Sequence, residues 1–309
     1  MSKTHVYDMI IVGGGPGGYT AAIYAASAGL DTLVLEKLSA GGQMALSEEI
    51  NNYPGFEEGV DGYTLAEKMQ RQAERFGART VYAEVERMEL AAEPKALETS
   101  EGVFYARTVA LATGAGPREL GLADEAELVG RGVAYCAACD GMRYRGKTVV
   151  VVGGGNSAAG DALALSRIAE KVILVHRRDK LRATKAYDRP LSQAGNIEFR
   201  WNSAVVELLH GDKLSGVRLR DVNTGEETEL ACDGVFISVG RKPATELVKG
   251  QLELDKNGYI AADETTKTSL PGVYAVGDVR TKALRQVVTA VADGAAAVHM
   301  AEEYLAGGE

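Results

Sequence analysis

Two cysteines separated by two residues are the side chains in this sequence best suited to covalent chemistry. Cys136 and Cys139 enclose two alanines, and Asp140 follows directly. Two intervening residues allow the sulfurs to come within bonding distance in a tight turn. Such surroundings commonly make one thiol a thiolate nucleophile at neutral pH. The pattern predicts a redox-active disulfide, with Asp140 placed to transfer the proton that thiol–disulfide exchange requires.

A zinc site is the alternative chemistry for such a pair. A closed zinc site needs four ligands, usually in two pairs. The third cysteine, Cys232, lies alone in an apolar segment, and the four histidines are scattered singly along the chain. We therefore predict no metal site, and we expect Cys232 to be a small buried hydrophobic residue.

A glycine-rich turn near the start predicts a dinucleotide site. The apolar run Tyr7–Val12 leads into Gly13-Gly14-Gly15-Pro16-Gly17-Gly18, followed by an alanine-rich helical pattern and a second apolar run that ends at Glu36. Such glycines let the backbone approach a pyrophosphate, which lies at the helix N-terminus where free N–H groups favour negative charge. Glu36 can accept hydrogen bonds from ribose hydroxyls, so this unit suits a dinucleotide without a 2′-phosphate.

The same pattern occurs again around Gly153-Gly154-Gly155-Asn156-Ser157. The next apolar run ends at His176, which is 23 residues after Gly153, as Glu36 is 23 residues after Gly13. Three guanidinium groups then stand where a 2′-phosphate would lie, so this unit suits NADP(H); they belong to Arg177, Arg178 and Arg182. The alternative is that the glycines only shape structural βαβ units and the arginines are a solvated surface.

Two Gly-x-x-Pro segments follow apolar strands and mark the borders between domains. Val109–Ala112 leads into Gly114–Pro117, and Val235–Ser238 leads into Gly240–Pro243. Each segment closes one dinucleotide-binding half, and each is a natural hinge because glycine absorbs backbone changes.

These patterns predict an α/β fold with two Rossmann-like dinucleotide-binding domains. Residues 1–116 and 246–309 form a discontinuous FAD-binding domain, which includes a late strand that ends at Gly277-Asp278. Residues 117–245 form an inserted NADPH-binding domain that carries the cysteine pair.

Composition bounds the possible function classes. A length of 309 residues suits about two domains. The net charge is −9 and no basic block occurs, which argues against nucleic acid as a partner. No apolar run of 18 residues and no targeting segment is visible, so we expect a cytoplasmic protein without a membrane span.

The motifs together resemble bacterial low-molecular-weight thioredoxin reductase, of the class II pyridine nucleotide-disulfide oxidoreductases. They occur in the family's order over nearly the whole chain, and they also include GGQ at 41–43, NNYPGF at 51–56 and ATG at 112–114. The resemblance implies a homodimer that passes electrons from NADPH through FAD to the Cys136–Cys139 disulfide, and then to thioredoxin or a thioredoxin-like protein. It implies that Cys139 faces the flavin, that Cys136 attacks the partner, and that Asp140 is the acid–base catalyst.

The resemblance also assigns residues to each cofactor. Those for FAD are Gly13, Gly15, Pro16, Gly18, Glu36, Gly42, Gln43, Asn52, Val85, Thr113, Gly114, Gly277, Asp278, Arg285, Gln286 and Val287. Those for NADPH are Gly153, Gly155, Asn156, Ser157, His176, Arg177, Arg178 and Arg182.

Two other interpretations stay open. A related flavoprotein would serve another acceptor, such as a peroxiredoxin-system or glutaredoxin-like protein, and a flavin redox sensor would not be an enzyme. The intact cysteine pair and the complete second nucleotide unit argue against the sensor. Gly160 before Asp161, and Met142-Arg143 before Tyr144, depart from the family's pattern, and the second departure bears on the identity of the partner.

Overall fold

A computed structural model describes residues 5–47 and 49–307. Its α-helices are α1 (Pro16–Ser27), α2 (Gly62–Arg75), α3 (Ala137–Asp140), α4 (Asn156–Ser166), α5 (Asp188–Gln193) and α6 (Val287–Leu305). Its strands are β1 (Val6–Val12), β2 (Thr32–Glu36), β3 (Arg79–Tyr82), β4 (Val85–Glu89), β5 (Lys95–Thr99), β6 (Gly102–Leu111), β7 (Ala115–Pro117), β8 (Val133–Ala134), β9 (Thr148–Val152), β10 (Lys171–Val175), β11 (Ile197–Arg200), β12 (Ser203–His210), β13 (Leu214–Asp221), β14 (Glu227–Ala231), β15 (Gly234–Ile237), β16 (Arg241–Pro243) and β17 (Val273–Ala275).

The chain folds into two compact units. Unit 1 comprises Met1–Gly116 and Lys242–Glu309, and unit 2 comprises Pro117–Arg241. The sequence placed the return to the first domain after residue 245, whereas the chain rejoins unit 1 after Arg241. Ala244 already lies in unit 1, where its N–H donates to the carbonyl of Gly114 at 3.0 Å.

The sheet of unit 1 brings four strand ends to one edge. β1 lies between β2 and β6, all three parallel, and β17 pairs in parallel with the last part of β6. The register aligns Val12 with Leu35 and Leu111, and Leu111 with Ala275. The turns after these strands therefore meet at the carboxyl edge, where open parallel sheets bind ligands.

Apolar packing on both faces fixes this sheet. Met9, Ile10 and Ile11 of β1 are fully buried, as expected for a central parallel strand. Alanine-rich α1 and α6 pack together on one face, where Ala22 and Ala297 are also fully buried. The other face is covered by apolar residues of β4, β5 and the segment after β16.

Unit 2 repeats the arrangement. Its parallel sheet has the order β11-β10-β9-β15-β8, and Val152 aligns with Val175 and with Ile237. α4 covers one face of this sheet, and the antiparallel sheet β12-β13-β14 packs against the other. The predicted α/β fold with two Rossmann-like halves is confirmed. Among the residues that the structure describes, no helix is long and apolar enough to cross a membrane.

Candidate redox and dinucleotide sites

The predicted cysteine pair forms a disulfide at the start of α3. The sulfurs of Cys136 and Cys139 are 2.09 Å apart, and their Cα atoms are 5.3 Å apart. Cys136 is the N-cap of α3, and its Sγ accepts a hydrogen bond of 3.2 Å from the Cys139 N–H. Both cysteines are half-buried, and Ala138 between them is exposed. The disulfide therefore lies in a small-residue turn rather than inside a core.

The residues after the disulfide place polar and apolar groups beside it. Asp140 ends α3, is half-buried, and donates its N–H to the carbonyl of Cys136 at 3.0 Å. A 3₁₀ helix, Gly141–Tyr144, follows directly. Within it Met142 and Arg143 are exposed, so the two positions that depart from the family's pattern lie at the surface.

The third cysteine has no such surroundings. Cys232 is buried with a free thiol, and burial, reinforced by Asp233, raises its pKa to about 12. It behaves as a small hydrophobic residue in the core of unit 2. Across residues 5–47 and 49–307, no three His, Cys, Asp or Glu side chains are grouped to hold a metal ion.

The first glycine turn leaves open space in front of α1. Gly13 has φ +103°, and a Cβ there would lie 2.5 Å from the carbonyl oxygen of Ala112. Gly15, the N-cap of α1, faces no atom within 4 Å of an added Cβ, and no side chain caps the helix. The Glu36 carboxylate accepts the Gly14 N–H at 2.5 Å. The turn thus offers N–H groups at the start of α1 with the Glu36 carboxylate beside them, an arrangement that fits the pyrophosphate and adenosine ribose of FAD.

Gly42 and Gln43 lie beside this turn. Both are exposed, and they begin a 3₁₀ helix, Gly42–Leu46. The preceding Gly41 donates its N–H to the carbonyl of Gly14 at 2.7 Å, which ties the helix to the glycine turn.

Val85 lies on the Glu36 side of the sheet. It begins β4 shortly after Ala83, whose N–H donates to the carbonyl of Glu36 at 2.8 Å. Lys37 Nζ and Glu84 Oε1, 2.6 Å apart, join the same two segments. The structure therefore places Val85 beside the predicted ribose site.

The ends of β6 and β17 bring further predicted residues to the same edge. Thr113 follows β6, and its hydroxyl donates to the carbonyl of Ala244 at 2.8 Å. Gly277 and Asp278 follow β17 in a short 3₁₀ helix. Arg285 binds back to this segment, because its Nε donates to the carbonyl of Asp278 at 3.4 Å.

Gln286 connects a distant loop to the start of α6. It is the N-cap of the helix and forms a capping box with Thr289. Asn52 donates from Nδ2 to Gln286 Oε1 at 3.0 Å. Val287 is the first residue of α6. Three residues that the resemblance assigns to FAD are thus together at a helix N-terminus, which favours negative charge.

The second glycine turn has the same geometry as the first. Gly153 has φ +154°, and a Cβ there would lie 2.4 Å from the carbonyl oxygen of Ser238. Gly155 is the N-cap of α4, with no side-chain cap and nothing within 4 Å of an added Cβ. Asn156 Oδ1 accepts the Thr184 N–H at 2.8 Å, which fixes the loop after β10 near the turn, and Ser157 is exposed on the first turn of α4.

His176 differs from the three arginines that follow it. Its ring packs directly on Gly154 and is buried, whereas Arg177, Arg178 and Arg182 are exposed. Within the described residues, His176 Nε2 has no hydrogen-bond partner. Burial lowers the pKa of His176, and the three arginines lower it further. This buried polar atom beside an open turn and three cations fits a dinucleotide that carries a 2′-phosphate.

Comparisons with known proteins agree with this geometry. The family model for pyridine nucleotide-disulphide oxidoreductases matches residues 7–294. The chain belongs to this family. It is 45% identical to the thioredoxin reductase of Treponema pallidum over 97% of both chains, and 42% identical to that of Bacillus subtilis over 99% of this chain and 96% of the relative. The crystal structure of thioredoxin reductase from Streptococcus pyogenes superposes with a TM-score of 0.89 at 42% identity, over 98% of this chain and 99% of that one.

Family membership confirms three predictions. The resemblance to bacterial thioredoxin reductases extends over nearly the full length, the chain is an oxidoreductase, and Cys136 and Cys139 form the close pair that a disulfide reductase requires. The cofactor-binding role of each residue remains a prediction.

One cluster beneath the Gly277 turn was not predicted. Asp293 of α6 is buried and accepts the Gly277 N–H at 2.8 Å. The same carboxylate pairs with Arg280 at 2.8 Å and with Lys282 at 2.7 Å, and both cations are buried. Asp293, an acidic residue next to the alanine run of α6, was the available sequence signal.

A second unpredicted pair lies beside the other glycine turn. Asp161 of α4 is half-buried and accepts a hydrogen bond from Ser238 at 2.5 Å. Burial raises the pKa of Asp161, although the Ser238 hydrogen bond and Arg241 oppose the change. The neighbouring Gly160 has open space around it, since the nearest atom to an added Cβ is Tyr187 Oη at 3.8 Å.

Proposed function

We propose that this chain uses NADPH and FAD to reduce the disulfide of thioredoxin or a thioredoxin-like protein. The observation that carries the proposal is the Cys136–Cys139 disulfide in the same unit as an arginine-flanked dinucleotide turn. The names of the relatives support the choice of acceptor, since those at 42–45% identity are thioredoxin reductases.

The cofactors supply the electron transfer. FAD bound in unit 1 would carry one electron pair from NADPH to the disulfide. The net reaction consumes NADPH, one proton and the partner's disulfide, and it yields NADP⁺ and the partner's dithiol. In unit 1 the uncapped start of α1 and the Glu36 carboxylate bind and orient the pyrophosphate and ribose.

In unit 2 the glycine turn and the arginines select the nucleotide. The uncapped start of α4 receives the pyrophosphate, and Arg177, Arg178 and Arg182 pair with the 2′-phosphate. His176 is neutral near pH 7 because its pKa is lowered, so it offers a hydrogen bond rather than a charge.

The disulfide completes the relay. An incoming electron pair breaks the S–S bond and leaves one sulfur as a thiolate, while the other takes a proton. The Cys139 N–H, 3.2 Å from Cys136 Sγ, stabilises negative charge on Cys136. Cys136 then attacks the partner's disulfide, which forms a mixed disulfide and releases one partner thiolate. Cys139 attacks Cys136 Sγ, which re-forms the Cys136–Cys139 bond and releases the second partner thiolate, and Asp140, directly after Cys139, transfers the proton.

Two finer proposals accompany this function. The resemblance supports a homodimer, which sedimentation would detect as twice the subunit mass of 32.7 kDa. A sequence with only three cysteines, two of them redox-active, suits the reducing cytoplasm.

The acceptor is tested directly with purified, FAD-loaded protein. NADPH oxidation is followed with thioredoxins, glutaredoxin-like proteins and peroxiredoxin-system proteins supplied in turn. We expect saturable turnover with a thioredoxin and little with the others. Met142 and Arg143 are exposed close after the disulfide and depart from the family's pattern, so the assay compares several acceptors directly. If only a glutaredoxin-like or peroxiredoxin-system protein supports turnover, that protein is the acceptor instead of thioredoxin. If no disulfide substrate is reduced to a dithiol, the proposed function is refuted.

A further inference from the structure

Glu125 is a buried carboxylate that contacts Tyr135, the residue before Cys136, and it has no role in the chemistry described above. Glu125 is only 3% exposed. Its Oε2 accepts the N–H groups of Gly121 and Leu122 at 2.9 and 3.1 Å. Its Oε1 accepts the Leu120 N–H at 3.0 Å and the Tyr135 hydroxyl at 2.8 Å. Both carboxylate oxygens are therefore fully engaged by donors from two separate segments of unit 2.

The two segments that Glu125 binds adjoin the start of unit 2 and the disulfide. Residues 120–122 belong to the stretch that begins unit 2 at Pro117. Tyr135 directly precedes Cys136, the N-cap of α3. Burial, with Glu125 beside it, raises the pKa of Tyr135, so the phenol remains a hydrogen-bond donor at any physiological pH. Glu125 thus links the first segment of unit 2 to the backbone that leads into the disulfide.

Apolar packing also holds this region against the core of unit 2. Leu120, Leu122 and Tyr135 already pack against the core that contains Leu128 and Val133. A buried carboxylate is costly unless every lone pair is satisfied, whereas apolar contacts are non-directional. What the carboxylate adds is direction, because a charge-assisted bond fixes where the Tyr135 ring and the adjoining backbone lie.

We propose that Glu125 is a positioning residue for the redox disulfide. Through Tyr135 it holds the backbone at Cys136 in one place while the S–S bond opens and closes. The hydrogen bonds of Glu125 go to residues 120–122 and to Tyr135, so in this proposal its effect reaches the sulfurs through Tyr135. The inference rests on the proposed function, since it assumes that the disulfide is reduced and reoxidised in turnover.

Such positioning has a measurable consequence for the disulfide itself. Two thiols held close together re-form their bond more readily than two thiols on a loose loop. Loosening the support of Cys136 therefore favours the dithiol and makes the reduction potential of the pair less negative. It also slows electron transfer from the flavin to the disulfide, which depends on the placement of the sulfurs, without affecting flavin reduction by NADPH.

The test uses Tyr135→Phe, which removes only the hydroxyl, and Glu125→Gln, which keeps the side chain's shape. Tyr304→Phe is the matched control, because it removes a phenol 3.4 Å from another glutamate, Glu93, in unit 1. Stopped-flow absorbance of each FAD-loaded protein follows flavin reduction by NADPH and then flavin reoxidation by the disulfide. Equilibration with glutathione buffers gives the potential of the cysteine pair.

For Tyr135→Phe we expect the equilibrium constant for disulfide formation to fall by roughly two- to tenfold, the range for one lost hydrogen bond. Flavin reoxidation should slow to a similar degree, while flavin reduction and the Tyr304→Phe control match the wild type. Unchanged potential and reoxidation in Tyr135→Phe would overturn the inference, even if Glu125→Gln fails to fold. Equal slowing of flavin reduction and flavin reoxidation would also overturn the inference, because such a result would indicate general destabilisation. If the wild-type disulfide accepts no electrons from the flavin, the proposed function itself fails.

Discussion

At the scale of single residues, buried His176 and the exposed arginines after it have different parts in the proposed NADPH site. His176 is buried on the glycine turn with a lowered pKa, so we propose that it offers a bound nucleotide a packing surface and a hydrogen bond rather than a charge. Charge comes from Arg177, Arg178 and Arg182, which are exposed and free to close on a phosphate. Selection of NADPH over NADH is therefore assigned to the arginines.

Replacing Arg177 and Arg178 with alanine should raise the KM for NADPH by roughly tenfold or more, because two charge-assisted bonds to the 2′-phosphate are lost. The KM for NADH should change by less than about twofold, since NADH lacks that phosphate. Initial-rate measurements with both nucleotides check this, with exposed Arg189 of α5 changed to alanine as the control. Equal increases for NADPH and NADH would contradict the assignment.

At the scale of elements, buried charges connect α6 to the turn after β17. Burial alone would raise the pKa of Asp293, but hydrogen bonds from Arg280 and Lys282 outweigh it, and the net effect lowers the pKa below its ordinary value of 3.8. A carboxylate with a lowered folded-state pKa stabilises the fold above its unfolded-state pKa and loses that contribution as pH falls through the folded-state value.

Asp293→Asn should accordingly destabilise the protein by about 3 kcal/mol near pH 7, because two buried cations lose their carboxylate. The difference from wild type should shrink as the pH falls below about 4, where wild-type Asp293 also becomes neutral. Denaturant unfolding of both proteins at several pH values measures this difference in unfolding free energy. If the difference in unfolding free energy stayed constant down to the lowest pH measured, the charge of Asp293 would not be the source of its stabilising effect.

The elements also show what the sequence could and could not predict. Both glycine turns, Glu36 and the cysteine pair were predictable, because each depends on local order along one strand–turn–helix segment. The Glu125–Tyr135 and Asp293–Arg280 pairs depend on packing between segments, and the local sequence around Glu125 or Asp293 gave no indication of its partner. The return to unit 1 was placed late because hydrogen bonds between distant segments, such as that from the Ala244 N–H to the Gly114 carbonyl, leave no signal in the local sequence.

At the scale of the whole molecule, the proposed electron relay is divided between the two units. Unit 1 holds the residues assigned to FAD, while unit 2 holds both the NADPH residues and the disulfide. The nicotinamide and Cys139 would each have to reach the flavin in turn, and we therefore predict rotation at the Gly-x-x-Pro segments. The central claim is that electrons reach the partner only through Cys136 and Cys139.

Single-turnover stopped-flow absorbance of the Cys136→Ser and Cys139→Ser variants tests that claim most directly. Flavin reduction by NADPH depends only on the two nucleotide sites, so each variant should reduce its flavin at the wild-type rate. Each should then fail to form dithiol in the thioredoxin partner, because neither can complete the disulfide relay. Partner reduction at near the wild-type rate in either variant would contradict the account.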